Sequence, residues 1–342
     1  MATISLHGTS CFRQSISMKG KRVLSGIQPS GGLHLGNYFG MMKPMIELQE
    51  ENELFCFLVN YHALTSVTDA EKLSRDTLEA AADFLALGLD PEKAVFWVQS
   101  DIPEVTELTW ILSNVTGVGL LERAHSYKDK IAKGMSPTHG LLSYPVLMTS
   151  DILLFGGEVV PVGKDQKQHL EISRDIASRF NSTYGETFIL PEPLISEDTG
   201  LIPGIDGQKM SKSYNNTLEI FCNRDELQKK VLSIVTDTTS VDQPKDPDSS
   251  TLYNIHSFFL DEAGKKELRL RYQSPGLRYG DAKKELADII WDYFQPFREK
   301  RKELAKNKGT VIEILNNGAE KARVVATDYL EKARQNTGLI YR

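Results

Sequence analysis

Two short segments combine cationic, polar and glycine residues in patterns that could bind the phosphates of ATP. The first is PSGGLHLGN at residues 29–37, and the second is KMSKS at residues 209–213. A glycine-containing turn between a strand and a helix directs backbone N–H groups toward an anion. Lysine side chains act on phosphate as mobile point charges. The pair therefore predicts a nucleotide site.

The residue types of the first segment suggest separate tasks. Gly31 and Gly32 let the backbone pass close to a ligand, and Gly36 lets an adenine ring lie against the main chain. His34 could donate to a phosphate oxygen, and Asn37 could donate from the start of the following helix. Taken alone, this segment is equally compatible with a tight turn and a core histidine. The KMSKS segment makes the nucleotide interpretation much more specific.

Alternating strand and helix patterns supply the elements that must position these segments. Near-continuous apolar runs are typical of buried parallel strands, and they lie at 23–27, 54–59, 94–98 and 159–162. Helical patterns lie at 38–49, 69–88, 224–236, 254–273, 281–306 and 309–335. The alternation predicts an α/β fold with a Rossmann-type doubly wound parallel sheet.

The chain divides into three predicted regions. Residues 19–213 form the catalytic α/β domain, and residues 214–342 form a smaller α-helical C-terminal domain with a polar loop at 237–250. Residues 1–18 contain no acidic residue and are expected to be a disordered extension. An organellar transit peptide, or a true start at Met18, would also account for that composition.

Composition excludes several protein classes. The 342 residues carry a net charge of −6, so any contact with nucleic acid must come from a local basic patch. No apolar run approaches the ~18 residues of a membrane span. The cysteines Cys11, Cys56 and Cys222 have no C-x-x-C spacing, which argues against a disulfide framework or a zinc site.

The two segments resemble the HIGH and KMSKS signatures of class I aminoacyl-tRNA synthetases. Over nearly the whole chain, the sequence further resembles the bacterial-type tryptophanyl-tRNA synthetases. The segments that carry this resemblance are SGIQPSG, LLSYPVLMTSDILL, VPVGKDQKQHLEISRDIASRFN and GAEKARVVATDYL. The resemblance implies activation of L-tryptophan with ATP, release of pyrophosphate and transfer of tryptophan to the 3′ end of tRNA(Trp). It also implies a cytoplasmic homodimer whose helical domain binds tRNA, with no membrane association.

The resemblance assigns most of the ATP site to residues that bind or neutralise phosphate. The tryptophan carboxylate is already ionised, so the first step needs alignment and charge neutralisation rather than a general base. Mg²⁺ would lie on the ATP phosphates and have no protein ligand. The implied catalytic residues are Gln28, His34, Asn37, Lys130, Lys209 and Lys212. The implied ATP-binding residues are Gln28, Pro29, Ser30, Gly36, Asn37, Gly163, Lys164, Asp165, Lys209, Met210, Ser211 and Lys212.

Two of these assignments are weaker than the rest. Lys130, without the resemblance, is better interpreted as an exposed charge on a helix. Most relatives have an acid where Lys164 stands, which puts the role of that position in doubt. Asp165, by contrast, would accept hydrogen bonds from the ribose hydroxyls.

The resemblance also implies a tryptophan pocket around Asp151, whose carboxylate would accept the indole N–H. Asp151 lies in an otherwise apolar helical stretch and needs a partner there. The alternative is a helix-internal Asp paired with a nearby Lys or backbone group. His62, taken alone, would more often be a core histidine. Gln166 would reach the amino group of the substrate. The expected tryptophan-binding residues are His62, Tyr144, Met148, Asp151, Val160, Val162 and Gln166.

Residues 298–308 contain six basic and two acidic side chains. Such a run is usually a solvated helix face, and in the helical domain it is also a candidate for tRNA contact through Arg298, Lys300, Arg301 and Lys302.

Three other functions compete with tryptophan activation. The same chemistry on tyrosine is the nearest, because an Asp can also accept from a phenol. A non-catalytic regulatory or tRNA-binding paralogue would typically have lost His34 or a signature lysine, and this chain has lost neither. A simple nucleotidyltransferase would leave the helical domain unexplained.

Overall fold

The computed structural model describes residues 19–29, 31–132, 134, 138–163, 166–195 and 202–342, without the side chains of 125, 126, 129 and 130. The predicted extension at 1–18 therefore lies outside the described residues, as do Ser30, Lys164 and Asp165.

Within the described residues, five parallel strands form one sheet in the order β3-β2-β1-β4-β5. The strands are β1 (Arg22–Ile27), β2 (Glu53–Leu58), β3 (Ala94–Val98), β4 (Val159–Val162) and β5 (Glu192–Ile195). The doubly wound parallel sheet is confirmed, and so are four of its strands. The fifth, EPLI, has only four residues and contains a charge and a proline, so it offered no apolar run to recognise.

The helices lie between the strands in the first half of the chain and follow one another in the second half. They are α1 (Leu35–Asn37), α2 (Lys43–Glu47), α3 (Asn60–Ala63), α4 (Ala70–Ala86), α5 (Glu104–Ser113), α6 (Val118–Glu122), α7 (His125–Ala132), α8 (His139–Leu153), α9 (Lys167–Tyr184), α10 (Arg224–Leu232), α11 (Thr251–Ser257), α12 (Glu262–Tyr272), α13 (Tyr279–Lys306) and α14 (Lys308–Asn336).

Two predicted helices differ from the structure. The pattern at 254–273 is two helices, because the Asp261 carboxylate accepts from the Gly264 N–H at 2.8 Å and starts α12 as a new N-cap. The pattern at 38–49 is interrupted by a π-helical turn at Tyr38–Met42 between α1 and α2. Tyr38 and Phe39 of that turn pack against aromatic side chains of α13, including Tyr293 and Phe294.

Successive residues of the central strand β1 face two different apolar cores. Val23 belongs to the core that contains α4, and Leu24 belongs to the core that contains α5 and α8. Helices from beyond residue 213 complete both cores, with Phe294 of α13 in the first and Ala322 of α14 in the second. The division at 213–214 stays a prediction, since these helices are packed onto the sheet.

The last helix covers β3, which is an edge strand of the sheet. Gly318 of α14 is so close to β3 that a Cβ atom there would overlap the backbone carbonyl of Phe96. Arg334 further along α14 forms a bidentate ion pair with Glu107 of α5, at 2.6 and 2.9 Å. The unpaired side of the edge strand is thereby shielded, as stable sheets require.

Among the described residues, no helix has the length and apolar character needed to cross a bilayer.

Replacing Gly318 by Ala should destabilise the protein by about 3 kcal/mol or more, because the added methyl group forces α14 away from β3. Gly280, in the first turn of α13, is the matched control, since a Cβ there meets nothing within 4 Å. Gly280→Ala should leave stability equal or raise it by about 0.5–1 kcal/mol. Urea unfolding of both variants measures the difference, and equal stabilities would show that α14 does not pack on β3 this closely.

Candidate active site

Polar and glycine residues lie at the carboxyl ends of the parallel strands, and Gln28, Pro29 and Gly163 are among the predicted site residues. Gln28 and Pro29 directly follow β1, Gln99 follows β3, and Gly163 follows β4. Open α/β sheets bind ligands at this edge, where the strand order reverses. Here the reversal lies between β1 and β4.

His34 is fixed by a reciprocal capping interaction at the start of α1. Its Nδ1 accepts from the Asn37 N–H at 3.3 Å, and the Asn37 side-chain oxygen accepts from the His34 N–H at 3.2 Å. Because Nδ1 is an acceptor, the ring proton of the neutral imidazole is on Nε2. His34 is 6% exposed, and its burial together with the charge of Lys212 lowers the pKa of His34 to about 4. The side chain is therefore neutral at pH 7.

The two signature segments are held side by side by the main chain. Leu35 N–H donates to Leu218 O at 2.9 Å, and Ile220 N–H donates to Leu33 O at 3.0 Å, so 33–35 pairs with 218–220. Met210 contributes a further contact, because its sulfur accepts from the Gly36 N–H at 3.4 Å. The structure thus brings together the two segments that were predicted to bind phosphate, although they are about 175 residues apart in the sequence.

Lys212 lies beside the glycine turn. Its Nζ is 3.8 Å from the position that a Cβ on Gly31 would occupy, and Gly31 has a positive φ of 74°. A larger residue at Gly31 would be strained and would crowd the ammonium group. Lys209 and Lys212 are both exposed to solvent.

Asp151 is a buried carboxylate held by two side chains from neighbouring elements. It is 2% exposed in α8, and its Oδ2 lies 2.8 Å from His62 Nε2 in α3. Gln99 Nε2 donates to both carboxylate oxygens at 2.8 Å each. Burial raises the pKa of Asp151, while the hydrogen bonds from His62 and Gln99 act in the opposite direction. A carboxylate has about four lone-pair positions, so these donors leave room for another.

A backbone N–H group holds the Gln99 side chain in its orientation. Its side-chain oxygen accepts from the Tyr61 N–H at 3.0 Å, which fixes the amide so that its nitrogen faces Asp151. Gln99 was not among the predicted site residues, although its position directly after the predicted strand at 94–98 was an available signal. The alternative interpretation of Asp151 expected a Lys or backbone partner, and the described partners are instead His62 and Gln99.

A second group of hydrogen-bonded polar side chains connects α8 with α9. His169 Nδ1 is 2.9 Å from the Gln166 side-chain oxygen, which can only accept, so the imidazole donates there. In the neutral ring, Nε2 then accepts from the Tyr144 hydroxyl at 2.7 Å. The Tyr144 ring is edge-on to the His62 ring, with 6.2 Å between the ring centroids, so this hydrogen-bonded group lies next to Asp151 and its partners. His169 was likewise not among the predicted site residues. Its position three residues after Gln166 was the available signal that the two side chains could contact each other.

The other predicted pocket residues occupy α8 and β4. Tyr144, Met148 and Asp151 are spaced by four and three residues on α8, which puts them on one face. Val160 is buried and Val162 is half-buried on β4. Lys130 has its backbone in α7, and its side chain lies outside the described part of the chain. Among the described residues, no group of three His, Cys, Asp or Glu side chains could hold a metal ion.

Two of the four candidate tRNA contacts are engaged within the protein instead. Arg298 is buried, stacks over the Trp291 ring at 3.7 Å and donates to the Trp291 carbonyl. Arg301 is paired with Asp83 and Glu79 of α4, where it connects α13 to the first half of the chain. A pattern of charges cannot distinguish the solvent side of α13 from the side that packs on α4. Lys300 and Lys302 are exposed and remain candidates.

Arg301→Met should destabilise the protein by about 3 kcal/mol, because it leaves the buried Asp83 carboxylate unpaired. Burial already raises the pKa of Asp83 to about 6 despite Arg301. Because the pKa of Asp83 is higher in the folded protein than in the unfolded chain, the free energy of unfolding falls as pH rises from about 4 to about 6. Without Arg301 that pKa rises further, so the deficit of the variant should be larger at pH 8 than at pH 5.

Urea unfolding of Arg301→Met at both pH values measures this deficit. The matched control is Lys302→Met, an exposed neighbour that should change stability by less than about 0.5 kcal/mol. A pH-independent deficit, or one equal to that of the control, would contradict the pairing.

The chain is similar to known proteins over most of its length. The family model for tRNA synthetases class I (W and Y) matches residues 18–295. The tryptophan–tRNA ligase of Campylobacter jejuni (strain RM1221) is 53% identical over 318 residues, which cover 93% of this chain and 100% of that protein. The tryptophan–tRNA ligase of Fusobacterium nucleatum is 53% identical over 321 residues, 94% of this chain and 98% of its own.

A solved structure agrees with these sequence matches. The crystal structure of the Campylobacter jejuni tryptophanyl-tRNA synthetase, complexed with ADP and tryptophan, superposes with a TM-score of 0.88 at 53% identity. The superposition covers 93% of this chain and 99% of that one.

Proposed function

Because the chain belongs to the class I tRNA synthetases of the tryptophan and tyrosine type, we propose that it is a tryptophan–tRNA ligase. It activates L-tryptophan with ATP, releases pyrophosphate and transfers the tryptophanyl group to the 3′ end of tRNA(Trp). The observation that carries the proposal is the buried Asp151, which His62 and Gln99 hold at the same sheet edge as the paired signature segments. Near-full-length similarity to tryptophan–tRNA ligases supports it.

The activation step uses alignment and electrostatic stabilisation. The tryptophan carboxylate attacks the α-phosphorus, and negative charge develops on the pyrophosphate that leaves. Lys209 and Lys212 neutralise that charge, and neutral His34 donates from Nε2 to a phosphate oxygen. Mg²⁺ enters on the ATP phosphates as part of the substrate. Gln28, at the end of β1, contacts the reacting carboxyl and phosphate groups.

Substrate selection rests on the environment of Asp151. Its carboxylate accepts the indole N–H, with Tyr144, Met148, Val160 and Val162 around the ring. Gln166, held by His169, accepts from the substrate ammonium group. Asp165 binds the ribose, Gly163 contributes to the ATP site, and Lys130 binds phosphate.

The second step requires tRNA, and we expect the enzyme to act as a homodimer. The helical region at 214–342 binds tRNA, and the exposed Lys300 and Lys302 are its candidate phosphate contacts. Trp110 on α5 is 72% exposed and Val118 on α6 is 59% exposed, which suits a homodimer interface. We expect the enzyme to act in the cytoplasm.

Lys212→Ala should lower the rate of tryptophan-dependent ATP–pyrophosphate exchange by about 10²-fold, because it removes one donor to the transition state. Tryptophan affinity should stay close to that of the wild type. Lys229→Ala, on the exposed surface of α10, is the matched control and should exchange normally. A wild-type exchange rate for Lys212→Ala would remove this lysine from the mechanism.

Asp151→Ala should abolish the recognition of the indole N–H. A site built to hydrogen-bond its substrate rejects an analogue without the group by ~10⁴-fold or more, because the buried acceptor is left unpaired. Wild type should therefore discriminate strongly against phenylalanine and against a tryptophan isostere with sulfur in place of N–H. The variant should lose most of this discrimination in exchange assays.

Two outcomes of this assay count against the proposal. If Asp151→Ala separates tryptophan from the sulfur isostere as well as wild type does, another residue reads the N–H. If wild type prefers tyrosine, the substrate assignment itself is wrong.

A further inference from the structure

Asn216, four residues beyond Lys212, has every polar atom of its side chain engaged by the KMSKS segment. Its oxygen accepts from the Ser211 N–H at 2.8 Å. Its nitrogen donates to the Lys209 carbonyl at 3.0 Å and to the Asp206 carboxylate at 2.8 Å. The residue is 1% exposed. One amide with two donor hydrogens and one acceptor therefore joins three points of one loop.

The loop folds tightly around this side chain. Residues 202–210 form a hairpin in which Gly204 N–H donates to Gln208 O at 2.7 Å and Met210 N–H donates to Ile202 O at 3.0 Å. A Cβ on Gly204 would overlap the Asn216 carboxamide, so glycine is required to make room for it. The Asn216 carbonyl in turn accepts from the Ile205 N–H at 3.0 Å.

The contacts of Asn216 fall on both sides of Met210. The Lys209 carbonyl and the Ser211 N–H are the backbone groups that flank it, and Met210 itself contacts Gly36 of the first signature. Fixing these groups fixes where the main chain presents Lys209 and Lys212 relative to the glycine turn. A long lysine side chain has many rotamers, so its base must be fixed if its ammonium group is to meet a phosphate reproducibly.

We propose that Asn216 is a positioning residue that aligns Lys209 and Lys212 for pyrophosphate release without touching the substrate. The inference rests on the proposed function, because it assumes that these lysines bind the ATP phosphates. Asn216→Ala should lower kcat of tryptophan-dependent ATP–pyrophosphate exchange on the order of 10²-fold, as a misplacement of about 1 Å can do. The dissociation constant for tryptophan should change by less than about twofold, because the amide contacts no pocket residue.

The matched control is the neighbouring asparagine. Asn215 has a φ of 51°, and its side chain contacts only Lys230 among the hydrogen bonds described, at 3.4 Å. Asn215→Gly keeps this backbone conformation without strain and should exchange at the wild-type rate.

A double variant tests whether Asn216 acts through the lysine. If it does, adding Asn216→Ala to Lys212→Ala should slow exchange by less than adding it to the wild type, because only Lys209 is then left to be misplaced. Fully multiplicative losses, or parallel losses of exchange and tryptophan affinity, would overturn the positioning role. A wild type with no tryptophan-dependent exchange would instead contradict the proposed function, which separates the two failures.

A charge exchange provides a test if Asn216→Ala does not fold. Asn216→Asp places a second carboxylate beside Asp206 and removes the donor to Lys209 O, so exchange should fall. Adding Asp206→Asn restores one hydrogen bond in the reversed direction and should recover part of the rate. A pair no faster than Asn216→Asp alone would overturn the inference.

Discussion

A carboxylate that is removed from water must be matched by hydrogen-bond donors, and Asp151 imposes this requirement on the elements around it. Its donors come from two other elements, because His62 lies in α3 after β2 and Gln99 directly follows β3. Three neighbouring elements must therefore meet at one edge of the sheet for Asp151 to be tolerated in α8. The same arrangement leaves lone pairs of the Asp151 carboxylate for a further donor, as the proposed recognition of one indole N–H requires.

The phosphate side of the site depends on a different constraint, the closeness of two segments that are far apart in the chain. Pairing of 33–35 with 218–220 and the contact between Met210 and Gly36 hold the second signature against the first. Lys209 and Lys212 are thus exposed side chains on a loop whose main chain is held in place. In the proposed mechanism, this puts positive charge where the leaving pyrophosphate would develop negative charge.

Much of this architecture could be predicted because it is encoded locally. The apolar runs at 23–27 and 94–98 specify buried parallel strands in the sequence itself. The short strand β5 could not be recognised, because its pairing with β4 rather than its composition makes it a strand. Gln99 and Asn216 were missed because their roles come from partners far along the chain or across a loop. The ion pairs of Arg301 could not be predicted, because a charge pattern does not show which side of a helix is buried.

The most direct measurement of the central claim is ATP–pyrophosphate exchange by the wild-type enzyme with each of the twenty amino acids in turn. The geometry of Asp151 predicts rapid exchange with tryptophan alone, with phenylalanine and tyrosine at least several orders of magnitude slower. Exchange of comparable rate with tyrosine or phenylalanine would contradict the claim that a buried carboxylate selects the substrate by its indole N–H.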